Sequence, residues 1–166
     1  MFSNQLKDSE IFLSIIIPAY NEEKRIGRTL DATIDYFGNC GYNFELIVVD
    51  DGSEDETVNI VKSKLSTLNN AKLISYTPNG GKGSAVRHGI LASKGQYVMF
   101  MDADLSTPIE EVERALHYLR NGYDIVIGSR GLPESEILSR QPFYREMATR
   151  IFKLFYEIIG FFFPMI

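Results

Sequence analysis

A chain of 166 residues with 45% hydrophobic and 23% charged residues can bury one core and is too short for two full domains. Its formal charge of −5 excludes a general nucleic-acid binder, which needs a basic face. One cysteine, Cys40, excludes an intramolecular disulfide framework and a cysteine-rich zinc site, and fits a reducing, cytoplasmic-side compartment.

In chain order, the first ten residues, MFSNQLKDSE, lack the basic-then-apolar pattern of a signal peptide. Five short apolar runs follow: LSIII at 13–17, FELIVV at 44–49, AKLISY at 71–76, QYVMFM at 96–101 and DIVIG at 124–128. Consecutive apolar, β-branched positions predict strands buried on both faces. Helical spacing lies between them. Residues 22–37 place Ile26, Leu30, Ile34 and Phe37 on one face, and residues 54–68 do the same with Val58, Val61, Leu65 and Leu68. Residues 84–93 and 108–119 complete the series, the latter with Pro108 near its start and Glu110 and Glu111 after it. Strand–helix alternation predicts an α/β fold with a mainly parallel central sheet flanked by helices.

Ligands of such sheets bind beyond the carboxyl ends of the strands. Those positions hold Pro18-Ala19-Tyr20-Asn21-Glu22, Asp50-Asp51-Gly52-Ser53, residues 77–83 (TPNGGKG), Asp102-Ala103-Asp104 and Ser129-Arg130. Asp102 and Asp104, at i and i+2 on a turn, can converge on one hard divalent cation, since Mg²⁺ and Mn²⁺ take one or two carboxylates plus phosphate oxygens. Asp104 also suits a helix entry. Asp50 or Asp51 can accept from a ribose hydroxyl or a ring N–H, while Asp-Gly-Ser is equally a turn former. The segment 79–84 (NGGKGS) opens a helix and offers N–H groups and Lys82 to an anion, yet matches neither standard phosphate-loop pattern. Tyr20 can stack on a base or be an ordinary loop residue. His88 and His117 read as structural or surface residues.

Together the segments LSIIIPAYNEEKRIGRTL, IVVDDGSEDET, NGGKGSAVRHGI, YVMFMDADLSTP and IVIGSR, in this order and spacing, resemble the catalytic domain of glycosyltransferase family 2. That resemblance implies the GT-A nucleotide-diphospho-sugar transferase fold over residues 1–136. Within the family, SRG at 129–131 and the sequence after it are most similar to the dolichyl- or polyprenyl-phosphate β-glucosyltransferases. The resemblance implies an inverting, metal-dependent hexosyltransferase moving glucose from UDP-glucose to a lipid phosphate at the cytoplasmic membrane face. It assigns Pro18, Ala19, Tyr20, Glu22, Asp50, Asp51, Lys82 and Asp102 to the nucleotide-sugar. It assigns Asp102 and Asp104 to Mg²⁺ or Mn²⁺, Asp104 and Arg130 to catalysis, and Arg130 with Arg140 to the acceptor phosphate. GDP-mannose or UDP-N-acetylglucosamine as donor, a saccharide acceptor, and donor binding without turnover stay open, as does a homo-oligomer.

The charge is uneven. Residues 1–136 carry 13 basic and 20 acidic side chains, whereas 137–166 carry 4 and 2. Residues 143–166 also hold 8 of the 20 aromatics. The most apolar stretch, 151–166, is broken by Lys153, Glu157, Gly160 and Pro164, so it falls short of the roughly 18 apolar residues of a membrane span. On a helical wheel Met147, Ile151, Phe155 and Ile158 share one face, and Arg145, Arg150 and Lys153 lie opposite. Residues 137–166 are therefore expected to form an amphipathic helix at a membrane interface or on the acceptor side, cut short relative to the family pattern.

Overall fold

The computed structural model describes residues 11–128. Arg130, Arg140 and the whole of 137–166 lie outside the described residues. Eight elements alternate: β1 (Leu13–Ala19), α1 (Ile26–Asn39), β2 (Phe44–Asp50), α2 (Thr57–Leu65), β3 (Ala71–Ser75), α3 (Lys82–Ala92), β4 (Tyr97–Phe100) and α4 (Glu111–Arg120). The four strands form one parallel sheet in the order β3-β2-β1-β4. Ala19, Asp50 and Ser75 stand side by side in the register. The strand exits that carry the candidate residues therefore share one edge.

The first two strands meet the expectation of two-sided burial. Ile15, Ile16, Ile17, Leu46, Ile47, Val48 and Val49 are all fully buried, and each such side chain contributes about 1.5–3 kcal/mol by leaving water. Ile16, Ile47 and Val49 pack with Ala85 of α3 on one side. Phe44 meets Phe37 of α1 at 5.7 Å between ring centroids, which places α1 on the other side by strand alternation. Gly89 lets α3 approach: a Cβ there would lie 2.4 Å from Ile16 Cγ2 in the middle of the sheet. β3 and β4 are less covered; on β4 the exposed Val98 and Phe100 alternate with the half-buried Tyr97 and Met99, so one face is the less covered among the described residues.

Pro18 shows how register tolerates a residue without an N–H. Ile16 accepts from Met101 N–H across the β1–β4 side, so even-numbered β1 residues point their backbone that way. Regular β1–β4 pairing ends at Ile16 opposite Phe100. The missing N–H of Pro18 thus faces a side that β4 has already left.

Boundaries differ from the sequence reading for identifiable reasons. Helix α1 starts at Ile26 rather than at 22, and α2 at Thr57 rather than at 54. The backbone N–H groups of Asn21, Glu22 and Glu23 go to Ser53 Oγ, Thr57 Oγ1 and Asp55 Oδ2, and those of Glu54 and Glu56 go to Asn21 Oδ1 and Glu23 Oε2. These residues weld two loops instead of joining helices. In the buried stripe of α1, Thr29 and Thr33 are fully covered while Ile34 is only half-buried.

The chain divides into two compact units, 1–117 and 118–166. In the second, the described residues run from Tyr118 to Gly128. Here α4 ends in a Schellman turn. Tyr123 N–H and Gly122 N–H return to the carbonyls of Tyr118 and Leu119, Gly122 has φ +94°, and the Tyr118 and Tyr123 rings meet edge to face at 5.7 Å. The strand expected at 124–128 does not form. Ile125 and Ile127 are 76% and 80% exposed and the segment has no regular structure. No helix among the described residues is long and apolar enough to cross a membrane.

Candidate functional site

Four strand exits converge on the carboxyl edge of the sheet. At the β1 exit, Pro18 and Ala19 are buried in the strand, while Tyr20 is 46% exposed. Asn21 takes a left-handed conformation (φ +52°), which asparagine tolerates. Its side-chain oxygen and backbone N–H lock onto Glu54 and Ser53. Glu22 grips Arg25 through two hydrogen bonds of 2.7 and 2.8 Å. Residues Asn21–Arg25 and Asp55 line a shallow cavity of about 340 Å³.

At the β2 exit both aspartates are buried. Asp50 accepts from Ser75 Oγ at 2.7 Å and from Ser53 N–H at 3.1 Å. Its carboxylate thereby ties the β2 turn to β3. Asp51 instead supports the glycine loop: Oδ1 accepts from Gly80 N–H at 2.8 Å, and its carbonyl accepts from Asn79 Nδ2 at 2.9 Å. Burial pushes the Asp51 carboxyl upward. Hydrogen bonds from the Tyr76 hydroxyl and from the Gly80 and Gly81 amides outweigh this and hold it below the ordinary carboxylate range. Asp55 is lowered in the same way, with Thr57 as the chief donor against burial.

The glycine loop leads directly into α3, whose first residue is Lys82. Gly81 has φ +85° and Gly52, in the neighbouring turn, φ +80°. Both are positions that a side chain would strain. Behind the loop, Tyr76 packs on the core, reaches Ser84 Oγ at 3.2 Å and stacks on His88 at 4.5 Å. Of the structural and surface readings left open for His88, its contacts fit the structural one, its Nδ1 2.9 Å from the Ser84 carbonyl oxygen. Tyr76 and Ser84 were not legible as site residues. Their one signal was an aromatic and a hydroxyl flanking a glycine-rich turn.

At the β4 exit, Asp102 forms an ion pair with Lys82, both about half exposed. Lys82 Nζ also lies 5.9 Å from the centre of the Phe100 ring. Asp104 is exposed and its Oδ1 accepts from Ser106 N–H at 3.0 Å, so it shapes its own turn. Between the two aspartates Ala103 is buried, and its carbonyl accepts from Thr29 Oγ1 at 2.6 Å.

The structure therefore brings Lys82 and Asp102 into contact and places Asp51 under the glycine loop. Among the described residues no group of three His, Cys, Asp or Glu could enclose a metal. Two exposed carboxylates on one turn still fit Mg²⁺ or Mn²⁺, because these ions complete their shells with water and substrate phosphate. Thiol or imidazole metals find no ligand set here.

The lowered carboxyls give a pH prediction. A group whose folded pKa is depressed stabilises above its unfolded value, and that stability is lost as pH falls through the folded value. Asp51 and Asp55 are both lowered. The thermal midpoint should therefore hold above about pH 5 and fall progressively below about pH 4. Asp51→Asn should flatten that acid limb in a pH series of melting curves.

Comparison with known proteins places these features in a family. The sequence matches glycosyl transferase family 2 over residues 14–164. The dolichyl-phosphate beta-glucosyltransferase of Dictyostelium discoideum is 33% identical over 171 aligned positions, covering 96% of this chain and 52% of that protein. The chain spans about half the length of the curated relatives it matches. Among solved structures, S. aureus TarS 1-349 in complex with UDP-GlcNAc aligns with a TM-score of 0.57 at 27% identity, over 77% of this chain and 38% of that one. Glucosyl-3-phosphoglycerate synthase from Mycobacterium tuberculosis, in complex with Mn²⁺, UDP and glucosyl-3-phosphoglycerate, aligns with a TM-score of 0.50 at 28% identity, over 65% and 39%. With its parallel sheet flanked by helices and four ordered motifs on the strand exits, this chain belongs to glycosyl transferase family 2 and has the GT-A fold.

Proposed function

We propose that the chain is the donor-binding part of an inverting hexosyltransferase that moves glucose from UDP-glucose to a polyprenyl or dolichyl phosphate at the cytoplasmic face of a membrane. The observation that carries this reading is the strand-exit edge, where Lys82, Asp102 and Asp104 share one end of the sheet with the glycine loop. The names of the relatives supply the lipid-phosphate acceptor class, and the complexes of two structural neighbours, one with UDP-GlcNAc and one with UDP, support a uridine nucleotide.

The chemistry follows from the charges. A phosphate monoester has a second pKa near 6, so the acceptor is already ionised at neutral pH. Its oxygen attacks the anomeric carbon opposite the departing diphosphate; the new C–O bond forms as the bond to UDP breaks. No side chain need remove a proton. A bound Mg²⁺ or Mn²⁺ would neutralise charge on the leaving diphosphate. In this reading Asp102 and Asp104 hold that ion, and Lys82 leaves Asp102 to meet the diphosphate. Arg130 and Arg140 orient the acceptor phosphate through their planar forks. Tyr20, exposed just beyond β1, stacks on the base, and Asp50 and Asp51 fix the loops around it. Residues 143–166 contact the membrane surface.

A thermal-shift screen of UDP-glucose, UDP-N-acetylglucosamine and GDP-mannose, each with Mn²⁺ or Mg²⁺, tests the reading. Metal-dependent stabilisation by UDP-glucose above the others is expected, about 2.7 kcal/mol at a hundredfold excess over Kd. The absence of any shift with all three donors would refute it.

A further inference from the structure

We propose that Thr29 of α1 is a positioning residue for the Asp102–Ala103–Asp104 turn, setting its geometry for a divalent cation and a nucleotide diphosphate. The inference rests on the site reading above and names a residue on another element that acts through the turn. Thr29 is 1% exposed, and its hydroxyl donates to the Ala103 carbonyl at 2.6 Å across 74 residues of sequence. The Arg25 carbonyl is also in reach at 3.2 Å, but a hydroxyl has one hydrogen and the Ala103 contact is the shorter.

That carbonyl belongs to the peptide joining Ala103 to Asp104. Fixing its plane fixes the direction in which the chain enters Asp104. Ala103 itself is buried, so water has little access to replace the bond. The next residue, Leu105, is held at φ +53°, a left-handed conformation that a leucine adopts only when its surroundings impose it. The imposing contacts are the Thr29 bond on one side and the Asp104–Ser106 turn on the other. Thr29 is anchored in turn: its carbonyl accepts from Thr33 Oγ1 at 2.7 Å, and that hydroxyl lies 4.0 Å from Met101 sulfur at the β4 exit. Two threonines one helical turn apart thus align α1 with the segment carrying both aspartates. A plain core helix would put aliphatic residues at these buried positions.

Calorimetric binding of UDP to the full chain, with and without Mn²⁺, together with melting curves, tests this. Outer-shell partners of metal ligands alter affinity by about 10–100-fold. Thr29→Val should weaken Mn²⁺-dependent UDP binding by roughly that factor and change metal-free UDP binding much less. Thr29→Ser, which keeps the hydroxyl, should restore affinity to near wild type. Leu30→Val, fully buried in the same helix without a hydrogen bond to the turn, should lower the melting temperature without that loss of binding. Should the valine variant fail to fold, Thr29→Cys, a weak donor of similar size, replaces it, with intermediate affinity expected. Mn²⁺-dependent binding by Thr29→Val or Thr29→Cys equal to wild type overturns the proposal alone, as does an equal loss with Leu30→Val. A wild-type chain that binds no UDP with Mn²⁺ overturns the site reading and this proposal together.

Discussion

Asp104→Asn is expected to abolish metal-dependent donor binding and transfer while leaving the fold intact. The side chain is exposed, and its Oδ1 accepts from Ser106 N–H at 3.0 Å. An asparagine oxygen can accept the same hydrogen bond, so the turn should persist and the melting temperature of the free protein should not move. What disappears is the anionic ligand. Charge neutralisation by a metal is worth several kcal/mol in the transition state, so the loss in rate should be on the order of 10³ or more. Asp102→Asn should behave differently. It also releases Lys82 from its ion pair, so some loss of cation affinity comes with freer access of Lys82 to an anion. Titrating Mn²⁺ against both variants in the presence of UDP separates the two aspartates. Wild-type Mn²⁺ dependence in Asp104→Asn would remove this residue from the metal site.

Glu45→Ala should cost about 3–5 kcal/mol of stability, because it breaks a buried charged network. Glu45 is the second residue of β2, at the end of the sheet opposite the site, and is 5% exposed. Its carboxylate accepts from Ser14 Oγ at 2.7 Å, Lys94 N–H at 2.6 Å and Lys72 Nζ at 3.2 Å. Lys72 also caps the Ala92 carbonyl at the end of α3, and Ser14 Oγ accepts from Gly95 N–H. One carboxylate therefore joins three strands to the exit of α3. Burial raises the Glu45 carboxyl, but the donors from Ser14, Lys94 and Lys72 overcome this and leave it lowered. Alanine leaves the Ser14, Lys94 and Lys72 donors without their acceptor. Glu45→Gln keeps one acceptor and should lose less. Urea denaturation of both variants measures the difference. A loss below about 1 kcal/mol for the alanine would show that water replaces the network.

Periodicity alone located the two central strands, because Ile15–Ile17 and Leu46–Val49 are covered on both faces and nothing but an apolar run satisfies that position. It also located the stripe of α1, and the motif order carried the family. It misread 124–128 for a reason of the same kind. An apolar run records a preference for burial, but whether a neighbour exists to pair with it is a tertiary fact. The edge strands were overread similarly: Val98 and Phe100 lie in an apolar run, yet they share a face of β4 that is left exposed among the described residues.

At the site, the sequence by itself determined which chemistry-bearing residues follow each strand, since strand and loop alternation places them at carboxyl ends. The tertiary structure decided their roles. Adjacent Asp50 and Asp51 were equivalent in the sequence, but one bonds across to Ser75 and the other props the glycine loop. Lys82 and Asp102 became an ion pair because α3 begins beside the β4 exit, 20 residues apart in the chain. Thr29 sits in the first family-like segment, yet nothing in the sequence assigned it a role. It became part of the Asp102–Asp104 turn because helix packing brought a hydroxyl within 2.6 Å of a buried carbonyl 74 residues away. Side-chain type and local spacing are encoded residue by residue, whereas partnership depends on register and packing, which only the folded chain brings about.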